Sequence, residues 1–528
     1  MIFFLQFTAS LLLVAFGFPF IAAAVGYAFF WVSLTHRFQR IRDRFWVSVL
    51  WFGLVQAIQL SWFTSIEYMG PCILIVYALL VFLIGLQFGC LSFFRPAISL
   101  SNCLAMAGCW VILEWVRLFF LSGFTWNPVA LSLADSSYAI SFAAIFGVYG
   151  LSFWVIFVNA FGLYALKNKS WRKGVVWASF ALLPYFYGAL QQEWVQRNIS
   201  PERTVSVALV QTAILPEEKD YFIEGRKSFI PPLNQWARIW EHLYRAPPVD
   251  LIILPETAVS QGANRPIYPI ETVKTVWARY FGEESLKDFP PFSGQEKVTN
   301  SFIAQAIANH FQADVIIGLD DQKYNAAFFF QPYGTSVTRY EKQILVPVGE
   351  YVPFSSFQWI SYFLSEQFGI GDSFDVGGEA NLFLSSFPIG VSICLEETYS
   401  HLMRDLRLKG ARLFVTVSND VWFPKSHLPE QHFQHGRIRA AENGVPVLRS
   451  CNTGITGLVD CCGRVVKILP PSEEKGDILY LSMPLRSFQT LYTWWGDSAI
   501  LSCSVFFLLV GLYTNWYTLR RSFNVTSS

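Results

Sequence analysis

Glu256, Lys342 and Cys394 each stand where a buried strand is expected to end, and together they supply a base, a cation and a nucleophile. Leu251-Ile252-Ile253-Leu254-Pro255-Glu256 closes an apolar run on a carboxylate, where a packed strand is ordinarily followed by a neutral turn residue. The stretch from Tyr340 to Phe354 sets Lys342 and Glu350 among apolar residues, and Gly390-Val391-Ser392-Ile393-Cys394 delivers a thiol to a turn. A thiol is only a few per cent ionised near neutral pH, so Cys394 needs a base or a positive neighbour to become a nucleophile. Glu256 is the candidate base. Attack on a carbonyl turns its oxygen into an anion, to which Lys342 and a backbone N–H just after Cys394 can donate. Taken singly, each residue has a plainer role, the thiol as inert core and the two charges as a structural ion pair.

The segments around these residues alternate between β and α patterns. Apolar, β-branched runs at 205–210, 251–254, 315–317, 326–330, 390–393, 413–417, 447–448, 457–459 and 478–481 suit strands buried on both faces. Between them lie amphipathic patterns such as Leu233, Trp236, Trp240, Leu243 and Tyr244. The run of late strands predicts a two-sheet sandwich with helices outside. The polar 259–300 stretch, with its Pro and Gly residues, reads as an exposed insertion.

Both ends of the chain are different in kind. Of 528 residues, 53% are hydrophobic and 17% aromatic, above the range of soluble domains, and the excess lies at the two ends. Apolar segments at about 1–17, 19–35, 45–63, 71–93, 101–122, 139–165, 173–190 and 497–518 predict eight membrane spans, the first two short and separated only by Gly17-Phe18-Pro19, with a re-entrant hairpin as the alternative for that pair. No basic residue precedes the first apolar run, against a cleaved signal peptide. The basic stretch from His36 to Arg44, then Arg95, then Lys167 to Lys173, then Arg520 and Arg521, fall on alternate loops and the tail. Basic loops stay cytoplasmic, so both termini face inward and residues 195–495 face outward, the periplasm of a bacterium. The expected organisation is a seven-helix bundle over 1–195, a catalytic domain over 203–488, a last span over 497–518 and a short cytoplasmic tail over 519–528.

A net charge of +1 gives no footprint for nucleic acid. Five of the nine cysteines lie in or beside spans; Cys451, Cys461 and Cys462 leave a disulfide open in an oxidising compartment. His432 and His435 have no cysteines at zinc-ligand spacing and are expected on the surface or in packing. Glu114 and Arg117, three apart on one membrane helix, are expected to pair, because ionisable groups there are costly alone.

The three strand ends resemble, in chain order, the Glu-Lys-Cys triad of the nitrilase superfamily. Glu114-Trp115-Val116-Arg117, Ser122-Gly123-Phe124-Thr125-Trp126, Ser418-Asn419-Asp420-Val421-Trp422-Phe423, Gln431-His432-Phe433-Gln434 with Arg437 to Glu442, and Leu448-Arg449-Ser450 narrow the resemblance to the apolipoprotein N-acyltransferases. That resemblance implies a four-layer αββα nitrilase sandwich beside an eight-helix membrane bundle in the bacterial inner membrane. It implies transfer of an acyl chain from a membrane phospholipid, through a thioester on Cys394, to the α-amine of the diacylglyceryl-cysteine that begins an apolipoprotein. No metal or organic cofactor is needed for this. Glu350 matches a second family carboxylate that holds Lys342 or shuttles protons, and Glu396 matches the residue two past the nucleophile.

Two departures fall on expected substrate contacts. Leu395 stands where the family has an aromatic residue, and Lys219-Asp220-Tyr221-Phe222 replaces a zone that often carries tryptophan. Candidate lining residues are Leu395, Asn419, Trp422, Tyr221, Phe357 and Trp359. The aromatic arm from Phe354 to Phe368 reads as an interfacial lid with Gly369 and Gly371 as hinges, against a helix packed in the core. A membrane-tethered amidase or hydrolase using water, and an inactive membrane binding protein, are the other functional readings.

Overall fold

The computed structural model describes residues 2–17, 19–95, 98–219, 229–292, 296–368 and 373–526. They divide into two units: Met1–Arg197 with Ala441–Asn443 and Gln489–Ser528, and Asn198–Ala440 with Gly444–Phe488.

The second unit is built on two six-stranded mixed sheets. The first contains β1 (Arg203–Gln211), β2 (Leu251–Leu254), β3 (Asp314–Asp321), β4 (Tyr324–Phe330), β5 (Thr338–Glu341) and, at its far edge, a strand from the end of the unit. The second contains β6 (Phe383–Leu384), β7 (Pro388–Ile393), β8 (Leu413–Ser418), β9 (Val447–Cys451), β10 (Thr456–Val459) and β11 (Val465–Leu469). β12 (Asp477–Leu485) is the edge strand that returns to the first sheet, giving the order β12-β1-β2-β3-β4-β5 against β11-β10-β9-β8-β7-β6. β1, β2 and β3 run parallel, as do β7, β8 and β9, and the outer pairings are antiparallel.

Alternation along β1 explains the layering. Val205, Val207 and Leu209 join Val391, Ile393, Val415 and Val417 in the core between the sheets. Ala208 and Val210 point the other way, into a core with Trp236, Trp240, Trp277 and Ile303 from the helices Pro232–Leu243, Ile270–Phe281 and Asn300–Phe311. A strand with apolar side chains on both faces is covered on both faces, and an αββα sandwich results.

The 259–300 stretch is not an exposed insertion. Val259, Ala263, Tyr268, Ile270, Val273, Trp277 and Val298 are buried in the helix-side core, and Trp277 meets Trp240 edge-on at 5.2 Å. Ile270, Val273 and Trp277 recur at helical spacing, a pattern that the surrounding polar residues obscure.

The first unit is helical. Every segment read as a span contains helix, and among the described residues four helices are long and apolar enough to cross a membrane: Ile73–Phe93, Leu100–Phe119, Ala143–Lys167 and Leu491–Tyr517, with Ile2–Ala15 a shorter apolar one. The others are diluted by charge, as where Arg42, Asp43 and Arg44 open Ile41–Gln59, or are broken, as at the π-turn Ala22–Gly26. That break is stitched by Asn159, whose amide donates to Ala23 O at 2.7 Å and accepts from Ala28 N at 3.0 Å. Backbone groups freed inside an apolar bundle need such a partner. Glu114 and Arg117 are not an ion pair within hydrogen-bonding reach among the described residues. Glu114 Oε1 accepts from Trp110 Nε1 and Val129 N, at 2.8 and 2.9 Å, while Arg117 Nε donates to Gln87 Oε1 at 2.7 Å.

Candidate active site

Each of the three sequence-predicted residues lies just past the end of a strand. Glu256 comes two residues after β2, where β3 passes so close that a Cβ on Gly318 would lie 2.5 Å from the Glu256 Cα. Only glycine fits there, and Gly318 N donates to Pro255 O at 3.1 Å while its carbonyl accepts from Ala258 N at 2.9 Å. Lys342 follows β5, its N–H held by Asn325 O at 2.9 Å. Cys394 follows β7 at φ 53° and opens the 3-10 turn Cys394–Thr398. A left-handed residue with a side chain costs about 1–2 kcal/mol, and here it turns the thiol out of the sheet so that Cys394 is half-buried while Ile393 is fully buried.

The side chains converge. Lys342, 1% exposed, places Nζ 3.2 Å from Glu256 Oε1 and 2.8 Å from Glu350 Oε1. Asn325 Nδ2 donates to the same two oxygens, at 2.7 and 2.8 Å, and Glu350 Oε2 accepts from Val346 N at 2.8 Å. Cys394 and Lys342 lie within electrostatic range of one another. Burial opposes the Lys342 charge, but Glu256, then Glu350 and Cys394, outweigh it and hold its pKa well above the usual lysine value. Burial first, and then the Glu256 charge, push the Cys394 thiol well above its ordinary range, with Lys342 pulling the other way. These influences favour the protonated thiol, so forming a nucleophile there would require a base.

Glu396 ties two of the strand ends together. Its Oε2 accepts from Ile393 N at 2.8 Å, and Oε1 accepts from Gln343 N and Ile344 N at 2.6 and 3.2 Å. One buried carboxylate thus clasps the residue before the thiol to the two residues after the lysine. Burial pushes its pKa up to about 7 against the pull of those N–H groups.

Spacing along the chain does not mark several other neighbours. Asn325, which bridges two carboxylates, sits at a hairpin start where Asn is common and carries no spacing signal. Lys219 Nζ donates to the carbonyl of Thr257, and burial lowers its pKa to about 8; Asp320, next along, is raised to about 6 by burial and then by Glu256. His432 and His435 are not on the surface: both are buried. His432 Nδ1 lies 2.9 Å from Asp420 Oδ1, and its Nε2 lies 3.1 Å from Glu397 Oε1 and 3.3 Å from the carbonyl of Cys394. Arg449, on β9, completes the cluster at 3.2 Å from Glu397 and 3.1 Å from Asp420. A charged cluster thus stands behind the cysteine turn, assembled from four distant segments.

The candidate lining residues scatter. Leu395 is buried, and Asn419 is nearly so, its carbonyl accepting from Asn452 Nδ2 at 3.0 Å. Trp422 is half-exposed. Phe357 and Trp359 are exposed on or beside the helix Gln358–Phe368, no residue of which is buried, so the arm is not a core helix. Tyr221, Gly369 and Gly371 lie outside the described residues. All nine cysteines are thiols, and among the described residues no group of three His, Cys, Asp or Glu side chains is arranged to hold a metal.

Comparison with known proteins covers both units. Residues 206–494 match the carbon-nitrogen hydrolase family, and residues 8–161 match the apolipoprotein N-acyltransferase N-terminal domain. An apolipoprotein N-acyltransferase of Chlamydia caviae is 31% identical over 553 aligned positions, covering 98% of this chain and 98% of its own. That of Chlamydia pneumoniae is 32% identical over 507, covering 90% of each. A carbon-nitrogen hydrolase crystal structure from Helicobacter pylori overlaps 53% of this chain and 89% of its own, at 18% identity and TM-score 0.34. Two family matches that between them span the bundle and the sandwich, with relatives aligned end to end, give one conclusion: the chain belongs to the apolipoprotein N-acyltransferase family.

Proposed function

We propose that this N-acyltransferase of lipoproteins carries its acyl group on Cys394, with Glu256 as proton acceptor and Lys342 as oxyanion stabiliser. The observation that carries the reading is Lys342 Nζ, held between Glu256 and Glu350 and within electrostatic range of the only half-buried thiol at a strand end. Cys394 Sγ attacks the ester carbonyl of a membrane phospholipid while its proton passes to Glu256. The oxyanion is met by Lys342 Nζ and the Leu395 N–H. Collapse breaks the ester C–O bond, Glu256 returns the proton to the departing lysophospholipid, and an acyl thioester remains. The α-amine of the diacylglyceryl-cysteine then attacks the thioester, Glu256 takes a proton from it, and the C–S bond breaks to leave the amide and the thiol. A protonated resting thiol and an adjacent carboxylate favour this concerted transfer over a preformed thiolate.

In this reading Glu350 and Asn325 hold Lys342 and Glu256 in register, and Glu396 fixes the distance between lysine and thiol. Leu395 at the aromatic position leaves room beside the acyl carbonyl. The exposed aromatics at Phe357 and Trp359 enter the membrane interface beside the donor. The eight apolar segments span the inner membrane with both termini cytoplasmic, which puts residues 203–488 in the periplasm; the alternation of basic loops supports this.

Intact-mass analysis of protein incubated with phospholipid, beside Cys394→Ala, tests the chemistry. A hydroxylamine-labile acyl adduct that requires Cys394 and moves to a diacylated lipopeptide is expected. An adduct lost only to water would make the protein a hydrolase, and no adduct with any phospholipid would refute the thioester.

A further inference from the structure

One end of the helical unit gathers cations without matching anions. Arg37 closes the helix Tyr27–Arg37, Arg40, Arg42 and Arg44 surround the start of Ile41–Gln59, and Arg95 follows the turn Cys90–Phe93. The start of Ile41–Gln59 lies against that turn, with the Ser48 and Ser92 hydroxyls 3.1 Å apart and the Phe45 and Phe93 rings 6.5 Å apart. The Arg95 charge is near enough to oppose that of Arg44. Asp43 is the one acid in the stretch, and it lies beside Arg42, 3.7 Å from its Nε.

Arg44 is the unusual member. It is 4% exposed, yet its Nε and Nη2 have no hydrogen-bond acceptor among the described residues. A guanidinium stays charged at any physiological pH and cannot escape an unmatched buried position by losing a proton. Two unfilled donors on one planar fork match two oxygens of a phosphate. Ile41 and Trp46, near Arg44 in the chain, and Phe93 and Ile98, near Arg95, are exposed apolar side chains of the kind that an acyl chain would cover.

We propose that Arg44 and Arg95 form a binding site for the phosphate of an anionic phospholipid, distinct from the acyl-donor site, with Arg37 and Arg40 at its rim. Basic pockets between membrane helices take lipid phosphates in this way. The membrane setting rests on the span reading above, whereas the phosphate chemistry rests on the unfilled Arg44 donors. Inorganic phosphate shares that chemistry, and the exposed apolar rim favours the lipid.

Native mass spectrometry on delipidated full-length protein tests this with equimolar phosphatidylglycerol and phosphatidylcholine of identical acyl chains. Retention of phosphatidylglycerol about fivefold or more above phosphatidylcholine is expected, since each basic residue near a headgroup contributes about that factor. The preference should fall for Arg95→Gln, whose exposed position leaves folding intact, and vanish for Arg44→Gln/Arg95→Gln. A wild type without preference, or an Arg95→Gln variant that keeps all of it, overturns the site. Inorganic phosphate alone is the second arm: a rise in wild-type melting temperature with no lipid preference would overturn the lipid and leave a free-anion site. Binding is read without turnover, so failure here leaves the acyl-transfer reading standing.

Discussion

Glu256→Gln separates a catalytic base from a structural ion pair, because the two roles predict opposite results. Glutamine keeps the shape and can still accept from Asn325 Nδ2, the 2.7 Å contact of the native carboxylate. What is lost is one charge. In the native cluster Lys342 faces two carboxylates, at 3.2 and 2.8 Å, so its positive charge is largely claimed. A unit-charge pair at that longer distance is worth roughly 5 kcal/mol at an effective dielectric of about 20, before desolvation. Removing Glu256 frees part of that field for the thiol. Burial and then Glu256 hold the Cys394 pKa up, and Lys342 lowers it, so the variant should form its thiolate at lower pH than the wild type. Acylation should nevertheless fall about 10²–10⁴-fold, because the proton has no acceptor during attack. Both quantities are measurable on one preparation: the pH midpoint of Cys394 carboxymethylation, read on its own peptide to exclude the other eight of nine cysteines, and single-turnover adduct formation by intact mass. A midpoint that stays or rises would show that Glu256 does not face the thiol. Acylation within tenfold of wild type would remove Glu256 as the base.

Glu396→Ala strips the acceptor from three N–H groups, one buried and two part-buried, each worth up to about 1–3 kcal/mol when orphaned; thermal unfolding should drop by several degrees and adduct formation should be lost together, and a stable, inactive variant would instead make Glu396 a direct catalyst. The Glu396 pKa rises from 4.5 to about 7 on folding, so the unfolded chain ionises first and stability falls as pH rises from about 4.5 to 7, by up to roughly 3 kcal/mol; denaturant titrations across that window should show this slope in the wild type and not in Glu396→Ala. Arg449→Met leaves Asp420 and Glu397 buried without their cation and should cost about 3–5 kcal/mol, measured by the same titrations. Burial works against the Asp420 charge, but Arg449 and then His432 hold its pKa well below the ordinary carboxylate value. Its contribution is therefore present above about pH 4 and lost on acidification, an acid dependence that Arg449→Met should weaken; an unchanged acid limb would mean that Arg449 is not its source. Phe357→Ala with Trp359→Ala should slow acylation from donor in vesicles about tenfold, the scale expected from losing two interfacial aromatics, and leave a short soluble ester unaffected; equal rates on both would remove the arm from lipid delivery.

Much of the fold was legible because it is written locally. Nine apolar runs became strands since a β-branched stretch buried on both faces needs no distant partner to be recognised, and the carboxylate, lysine and thiol announced themselves by standing at strand ends. The strand Val465–Leu469, exposed along most of its length, and the strand Phe383–Leu384, whose two residues are too few to show a period although Phe383 is buried, have no pattern by which to be recognised. The helix at Ile270–Phe281 was hidden by its polar flanks. His432 and Arg449 matched family motifs in the sequence, yet nothing in spacing told that they join Glu397 and Asp420 in one buried cluster. Those four come from the cysteine turn, the end of β8, a helix and β9.

Sequence alone marks which segments are apolar enough to enter a membrane, which become two-sided strands, and which carboxylate, lysine and thiol stand at strand ends. These follow from composition and short-range period, and folding does not change them. Folding decides that Asn325, 69 residues from Glu256, bridges it to Glu350, that Glu396 clasps the residues after Lys342 to the residue before Cys394, and that opposed charges act on the Cys394 thiol. Hydrogen bonds and electrostatic fields act over a few ångströms in space, and the chain brings residues that close only after its sheets have packed.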